Sequence, residues 1–204
     1  DIVIAISEGS SNRNYIDFAR KNKLKYIIGK EFDVLERLIK SGNVTSATDI
    51  LRVSSESPFK YYEPLKKAWT NHYKRNFDFT TLADVIDGIG FEIISMSALR
   101  YSHKYGKKKH KSELCSLYIR ENIKKFKSQR IFTEKKFVRN DLRLTVDYPE
   151  DLILCREIYK NLIKKDQLIK IENIISFLDK NKSLINLTKK YTEKGYSTMH
   201  VWKK

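Results

Sequence analysis

The chain has 204 residues, 41% of them hydrophobic, enough for one α/β domain with a real core or for one domain and a tail. No apolar run approaches the length of a membrane span, and the two cysteines, Cys115 and Cys155, make no disulfide framework, so a reducing, cytoplasmic setting is expected. The net charge of +16 raises nucleic-acid binding, but lysine greatly outnumbers arginine, the residue of base readout and phosphate clamps, and the lysines are spread along the whole chain.

Ile2 to Ser7 reads as a strand and not as a signal peptide. A chain that begins with Asp1, inside such a strand, raises the expectation of residues upstream. Ser7-Glu8-Gly9-Ser10-Ser11-Asn12 lacks the spacing of a Walker loop or a dinucleotide fingerprint and reads as a strand-to-helix turn. Tyr15 to Lys23 has helical spacing, with Ile16, Phe18 and Ala19 on its apolar face. A second strand over Lys25 to Gly29 and a second helix over Phe32 to Ile39 follow. Asp33 can cap that helix, and Arg37 can either reach an anionic ligand or join a surface ion pair. Asp49 to Ser54 is a third strand, with helix-like sequence from Tyr61 to Tyr73. This alternation implies a parallel sheet covered on both faces.

The pattern changes after Asn76. Phe77 to Leu82 and Phe91 to Met96 read as strands around the turn chemistry of Asp87-Gly88-Ile89-Gly90. Asp87 and Glu92 there are either turn residues and a polar face, or acceptors for sugar hydroxyls. A helix from Ser97 and another over Glu113 to Asn122 come next, then one or two short strands within Phe126 to Phe137. Leu142 to Asp147 reads as a buried strand and the segment to about Lys164 as a helix, with Cys155 facing inward. Gln167 to Lys204 is an expected helical tail, in which Ile171, Ile174, Ile175 and Leu178 repeat at helical spacing.

Two segments share one arrangement. In Leu142-Arg143-Leu144-Thr145-Val146-Asp147-Tyr148-Pro149 an apolar strand ends on an acid, with a proline one residue later at the start of a helix, where its missing N–H is no loss. Glu150 and Asp151 then suit the helix dipole. Asp49 to Pro58 repeats the order, with Glu56 as the acid. Acids at the carboxyl ends of strands lie where open α/β sheets bind ligands. Glu56 and Asp147 are therefore either helix caps or a pair converging on Mg²⁺, which accepts one or two carboxylates while it holds phosphates.

Other constellations carry less. His72, His103, His110 and His200 have no zinc spacing with the cysteines, Gly-x-Ser-x-Gly is absent, and each histidine is expected to be an exposed polar residue. Lys107-Lys108-Lys109-His110-Lys111, after Gly106, reads as a solvated loop, or as a lure for an anionic substrate or nucleotide.

Arg143-Leu144-Thr145-Val146-Asp147-Tyr148-Pro149-Glu150-Asp151-Leu152 resembles the C-terminal signature of the sugar cytidylyltransferases, above all the spore-coat-polysaccharide type related to the acylneuraminate and 3-deoxy-manno-octulosonate enzymes. Further blocks are similar and in the same order: Ile2 to Ser7, Gly29 through Asp33-Val34-Leu35-Glu36-Arg37, Arg52 to Pro58, Asp87-Gly88 with Glu92, Glu113 with Tyr118-Ile119-Arg120, and the tail from Ile174 to Asp179. The resemblance implies a Rossmann-like three-layer α/β/α nucleotidyltransferase fold, with a mostly parallel mixed sheet and a helical C-terminal tail. Residues 1–164 would form the α/β domain and 165–204 a tail packed on it. It implies transfer of CMP from CTP to a sugar, expected to be acidic, with release of pyrophosphate and with Mg²⁺ as cofactor, for surface glycan synthesis by a homodimer joined through the region after Asn76. Carried over, Glu56 and Asp147 would hold Mg²⁺, Arg37 and Arg52 would lie near anionic ligand groups, Asp87 and Glu92 would lie near the sugar, and Glu113 would join the binding residues.

The chain departs from the family at several positions. Glu56 stands where the family has Asp, Gly90 replaces an acid, and Ser112 and Leu114 replace the Arg and His beside Glu113. The family's first strand and its Gly/Arg/Lys-rich phosphate loop, on the order of 30 residues, have no counterpart, so CTP binding is expected to need them upstream. The competing expectation is a homologue that binds a sugar or a partner protein without catalysis.

Overall fold

The computed structural model describes residues 1–165 and 167–198; His200 and the rest of the expected tail, 199–204, lie outside them. Strand β1 (Val3–Ser7) leads through a short 3₁₀ turn to helix α1 (Arg13–Lys21) and strand β2 (Lys25–Gly29). β1 and β2 pair in parallel, Val3 opposite Lys25 and Ser7 opposite Gly29. The turn between β1 and α1 is a simple one, as expected. Gly9 takes a positive φ, and the Asn12 amide donates to the Ser7 carbonyl and hydroxyl. Helix α2 (Val34–Asn43) begins where the Asp33 carboxylate accepts the Glu36 N–H at 2.9 Å, the capping expected of that residue.

Strand β3 (Asp49–Arg52) stops two residues short of the expected Ser54, and helix α3 (Leu65–Lys74) starts four residues later than Tyr61. Glu56 therefore sits in a loop, not at the tip of a strand. Pro64 explains the late start. It cannot donate within a helix, but its carbonyl accepts the Ala68 N–H. Strands β4 (Phe79–Leu82) and β5 (Phe91–Ser95) follow, then helix α4 (Met96–Tyr105), with Ser95 as its cap through the Ala98 N–H. Helix α5 covers only Leu117–Glu121, and strand β6 Ser128–Ile131 is followed by a 3₁₀ turn at Lys135–Phe137 rather than a second strand. Strands β3, β5, β4 and β6 line up in that order in one sheet. The α/β class expected from the alternation holds.

The expected strand over Leu142–Asp147 does not form. The segment makes a single parallel bridge, Arg143 to Asp87. Its N–H groups go to two different places: Leu144 donates to the Asp87 carbonyl and Val146 to the Glu56 carbonyl, both at 2.8 Å. With partners on two loops, no continuous ladder is possible. Helix α6 (Pro149–Leu162) starts at once, with Pro149 at its first turn, and is followed by α7 (Ile171–Lys180) and α8 (Lys182–Thr198).

The chain divides into two compact units. One comprises residues 1–51, 75–79 and 93–128, the other 52–74, 80–92 and 129–204. In the first, Ala19, Leu35, Ile93, Ile94, Leu99 and Ile119 are buried. The expectation of exposed histidines fails at His110, 4% exposed, whose ring meets the Glu121 carboxylate and the Lys107 N–H. The lysine run there closes into a 3₁₀ turn because His110 folds inward. His103 pairs with Asp33 at 2.9 Å. In the second unit His72 is 1% exposed, against the Thr80 hydroxyl at 2.9 Å. Leu142, Leu144, Leu154, Ile158, Ile171, Ile174 and Leu178 are buried with Phe137. Cys155 faces inward as expected, and burial pushes its thiol up to about 12. Among the described residues no helix is long and apolar enough to cross a membrane.

Gly88 fixes the approach of the 142–147 segment to the turn between β4 and β5. Its φ is +96°, and an added Cβ would lie 2.4 Å from the Leu144 carbonyl oxygen. Backbone cannot yield as a flexible side chain can. Gly88→Ala is expected to destabilise by more than about 2 kcal/mol in urea unfolding; a loss under about 0.5 kcal/mol would contradict this packing.

Candidate active site

The centre of the second unit is a buried guanidinium. Arg143 is 5% exposed on its side chain and meets three aspartates. Its Nε donates to both oxygens of Asp151 at 3.1 and 3.2 Å, its Nη1 to Asp87 at 2.7 Å, and its Nη2 to Asp147. Burial disfavours the charge on Arg143, but Asp87 and Asp151 outweigh that, so its pKa is raised. Burial works the other way on Asp87, lifting its pKa above the usual carboxylate range although Arg143 opposes the shift.

Each aspartate has a different task. Asp151 is 1% exposed and accepts the backbone N–H groups of Asp147 and Tyr148 at 3.0 and 3.1 Å. It thus satisfies donors at the start of α6 and anchors Arg143 at the same time. Asp87 carries the turn, and its N–H donates to the Tyr196 hydroxyl at 3.0 Å. Asp147 is the open member, with its side chain 49% exposed. Three carboxylates around one guanidinium leave an excess of negative charge, and Asp147 presents it to solvent.

Glu56 lies next to this centre. Its carbonyl accepts the Val146 N–H, and its side chain is exposed. The structure thus brings Glu56 and Asp147 into neighbouring backbone positions, although neither ends a strand as the sequence pairing expected. No group of three or more His, Cys, Asp or Glu side chains suited to a metal occurs among the described residues. Two open carboxylates fit Mg²⁺ nonetheless, because that ion keeps several waters and takes further oxygens from phosphates.

Arg52 and Glu92 belong to the same unit and pair at 3.4 Å, Glu92 being buried. Between them and Asp87 stands a residue that sequence reasoning passed over. The Lys60 ammonium donates to the carbonyls of Gly88 and Gly90 at 2.9 and 3.0 Å. Burial, with Arg52 next, lowers its pKa to about 8, while Glu56, Glu92 and Asp87 resist the shift.

Arg37 and Glu113 lie in the first unit. Arg37 folds back on its own loop, donating to the carbonyls of Lys30 and Glu31. Gly29 leaves it the room, since a Cβ there would lie 2.8 Å from the Arg37 Cγ. Glu113 is exposed in the segment before α5.

The C-terminal helix packs on the aspartate centre. A Cβ on Gly195 would lie 2.8 Å from the Arg143 Nη1. The Tyr196 hydroxyl donates to the Arg139 carbonyl at 3.1 Å, and burial pushes it up to about 12. Tyr191 stacks on Tyr148 at 3.8 Å and donates to Glu150 at 2.9 Å.

No protein-family model matches the sequence. An uncharacterized protein of Methanocaldococcus jannaschii is 29% identical over 198 residues, which is 96% of this chain and 80% of that protein. The spore coat polysaccharide biosynthesis protein SpsF of Bacillus subtilis is 23% identical over 182 residues, 89% of this chain and 75% of SpsF. The solved structure of a cytidylyltransferase from Leptospira borgpetersenii matches with a TM-score of 0.80 at 20% identity, over 90% of this chain and 77% of that one. The chain thus has the nucleotidyltransferase-like fold of that cytidylyltransferase. The resemblance to the sugar cytidylyltransferases read from its motifs is borne out in fold by that neighbour and in sequence by SpsF.

Removing Arg143 would leave Asp87 and Asp151 buried without their counter-charge. Arg143→Met is expected to lower stability by about 3–5 kcal/mol in urea unfolding. A change under about 1 kcal/mol would mean that the aspartates do not depend on it.

Proposed function

We propose that the protein transfers a cytidylyl group from CTP to a sugar oxygen and releases pyrophosphate, in the making of a surface polysaccharide. The carrying observation is an acidic centre on a cytidylyltransferase fold, in which Arg143 holds Asp87, Asp151 and the open Asp147 beside Glu56. In the reaction a sugar oxygen forms a bond to the α-phosphorus of CTP, and the bond from that phosphorus to the bridging oxygen of pyrophosphate breaks. Such chemistry calls mainly for positioning and charge stabilisation.

Asp147 and Glu56 would hold Mg²⁺, which when bound neutralises phosphate charge. Arg143 keeps Asp147 oriented and, through Asp87, ties that orientation to the turn at Gly88. Asp87 and Glu92 flank that turn as acceptors for sugar hydroxyls. Arg52, fixed by Glu92, supplies positive charge on the same side. The Arg143 network places the acids beforehand, so no reorganisation is needed when charge develops.

A second reading, a homologue that binds a sugar or partner without transfer, draws on Gly90, which stands in place of an acid. A Cβ there would lie 2.6 Å from the Leu82 carbonyl oxygen, so the turn as built has no room for the acid.

The deciding assay is pyrophosphate release from CTP by the full-length protein with Mg²⁺ and a panel of acidic and neutral sugars. Release is expected with at least one sugar, and Asp147→Asn should lower kcat by at least about a hundredfold. No release from folded protein would favour the binding homologue.

A further inference from the structure

We propose that Lys60 is a specificity-determining residue that, with Arg52, receives an oxyanion of the acceptor, a carboxylate or a phosphoryl group, against the Asp87–Glu92 turn. The inference rests on reading that turn as the sugar side of the site.

The geometry is specific. An ammonium has three N–H donors. Two of those on Lys60 are fixed on the Gly88 and Gly90 carbonyls, and among the described residues no acceptor meets the third. The amine is thus held at a set angle over the turn that Asp87 opens and Glu92 closes, and it keeps one donor for a guest. Its stem is half-buried, so a hydrogen bond made there is less screened than one at the surface.

The charges point the same way. Arg52 lies close enough to oppose the Lys60 charge, second only to burial. The positive charge of Arg52 opposes that of Lys60, while Glu56, Glu92 and Asp87 favour it, and an oxyanion received at Lys60 would lessen that opposition. Asp87 answers to Arg143 and Glu92 to Arg52, so these acids have cationic partners of their own. A lysine can meet either oxyanion as a compact point charge on a flexible stem. Nothing in the sequence separates Lys60 from the many solvated lysines; its position over the turn does.

Calorimetric titration of the full-length protein, without nucleotide, tests the assignment with three probes: N-acetylneuraminate, its methyl ester, and glucose 1-phosphate. The wild type is expected to bind the carboxylate or the phosphate at least about tenfold more tightly than the neutral ester, and which of the two binds identifies the source of the oxyanion. Lys60→Met should erase that preference while ester binding stays within about twofold. Lys60→Arg should keep part of it. A wild type that shows no preference, that binds none of the probes, or whose preference survives Lys60→Met overturns the proposal. So does a Lys60→Met variant that loses ester and acid equally, since Lys60 would then only brace the turn. Pyrophosphate release is measured separately: a preference without release leaves Lys60 as assigned and removes the transferase reading.

Discussion

Burying a guanidinium is costly unless its donors and charge are answered. Arg143 imposes that constraint on the second unit. Its side chain is nearly sealed from water, and its Nε, Nη1 and Nη2 each go to a different aspartate. Asp151 comes from the first turn of α6, Asp87 from the turn between β4 and β5, and Asp147 from the residues just before α6. One side chain thus ties the turn between β4 and β5 to the start of α6, two segments far apart in the sequence. The C-terminal helix adds to the closure, because only a residue without a Cβ at 195 lets it lie so near the guanidinium.

The same constraint produces the candidate chemistry. One positive charge cannot neutralise three carboxylates, and the imbalance is not shared evenly. Asp151 is sealed and occupied with backbone donors, while burial lifts the Asp87 pKa. Asp147 alone of the three stands half open, and Glu56 is brought beside it by the hydrogen bond from Val146. A cation that prefers oxygen ligands and tolerates water is the natural complement of such an arrangement. On the proposed reading, the network would serve packing and function at once.

Much of this was legible in the chain itself. The ordered blocks around Arg52 to Pro58, Asp87 to Glu92 and Arg143 to Leu152 pointed to the fold, and the helical spacing of Ile171, Ile174 and Leu178 placed the tail's buried face. Glu56 and Asp147 were paired by their shared acid-x-proline pattern, and the structure sets them in neighbouring backbone positions. The expected strand at 142–147 failed for a reason that no local pattern carries, since its N–H groups are shared between two loops remote in sequence. Arg143 did leave a trace, as a charge between Leu142 and Leu144 in a run that reads as buried, because a buried charge must find partners. Lys60 left none, for in a lysine-rich chain only three-dimensional placement distinguishes one amine. His72 and His110 were misjudged because composition cannot tell a buried histidine with a hydrogen-bond partner from a solvated one.

The most direct test of the central claim, that the Arg143 network sets an open carboxylate pair for a divalent cation, is crystallographic. Crystals of the full-length protein grown with Mn²⁺ and a non-hydrolysable CTP analogue would locate the ion by its anomalous scattering. The account predicts a manganese peak coordinated by Glu56 and Asp147, absent from an Asp147→Asn variant. A peak held by other residues, or nucleotide bound with no metal at either carboxylate, would contradict it.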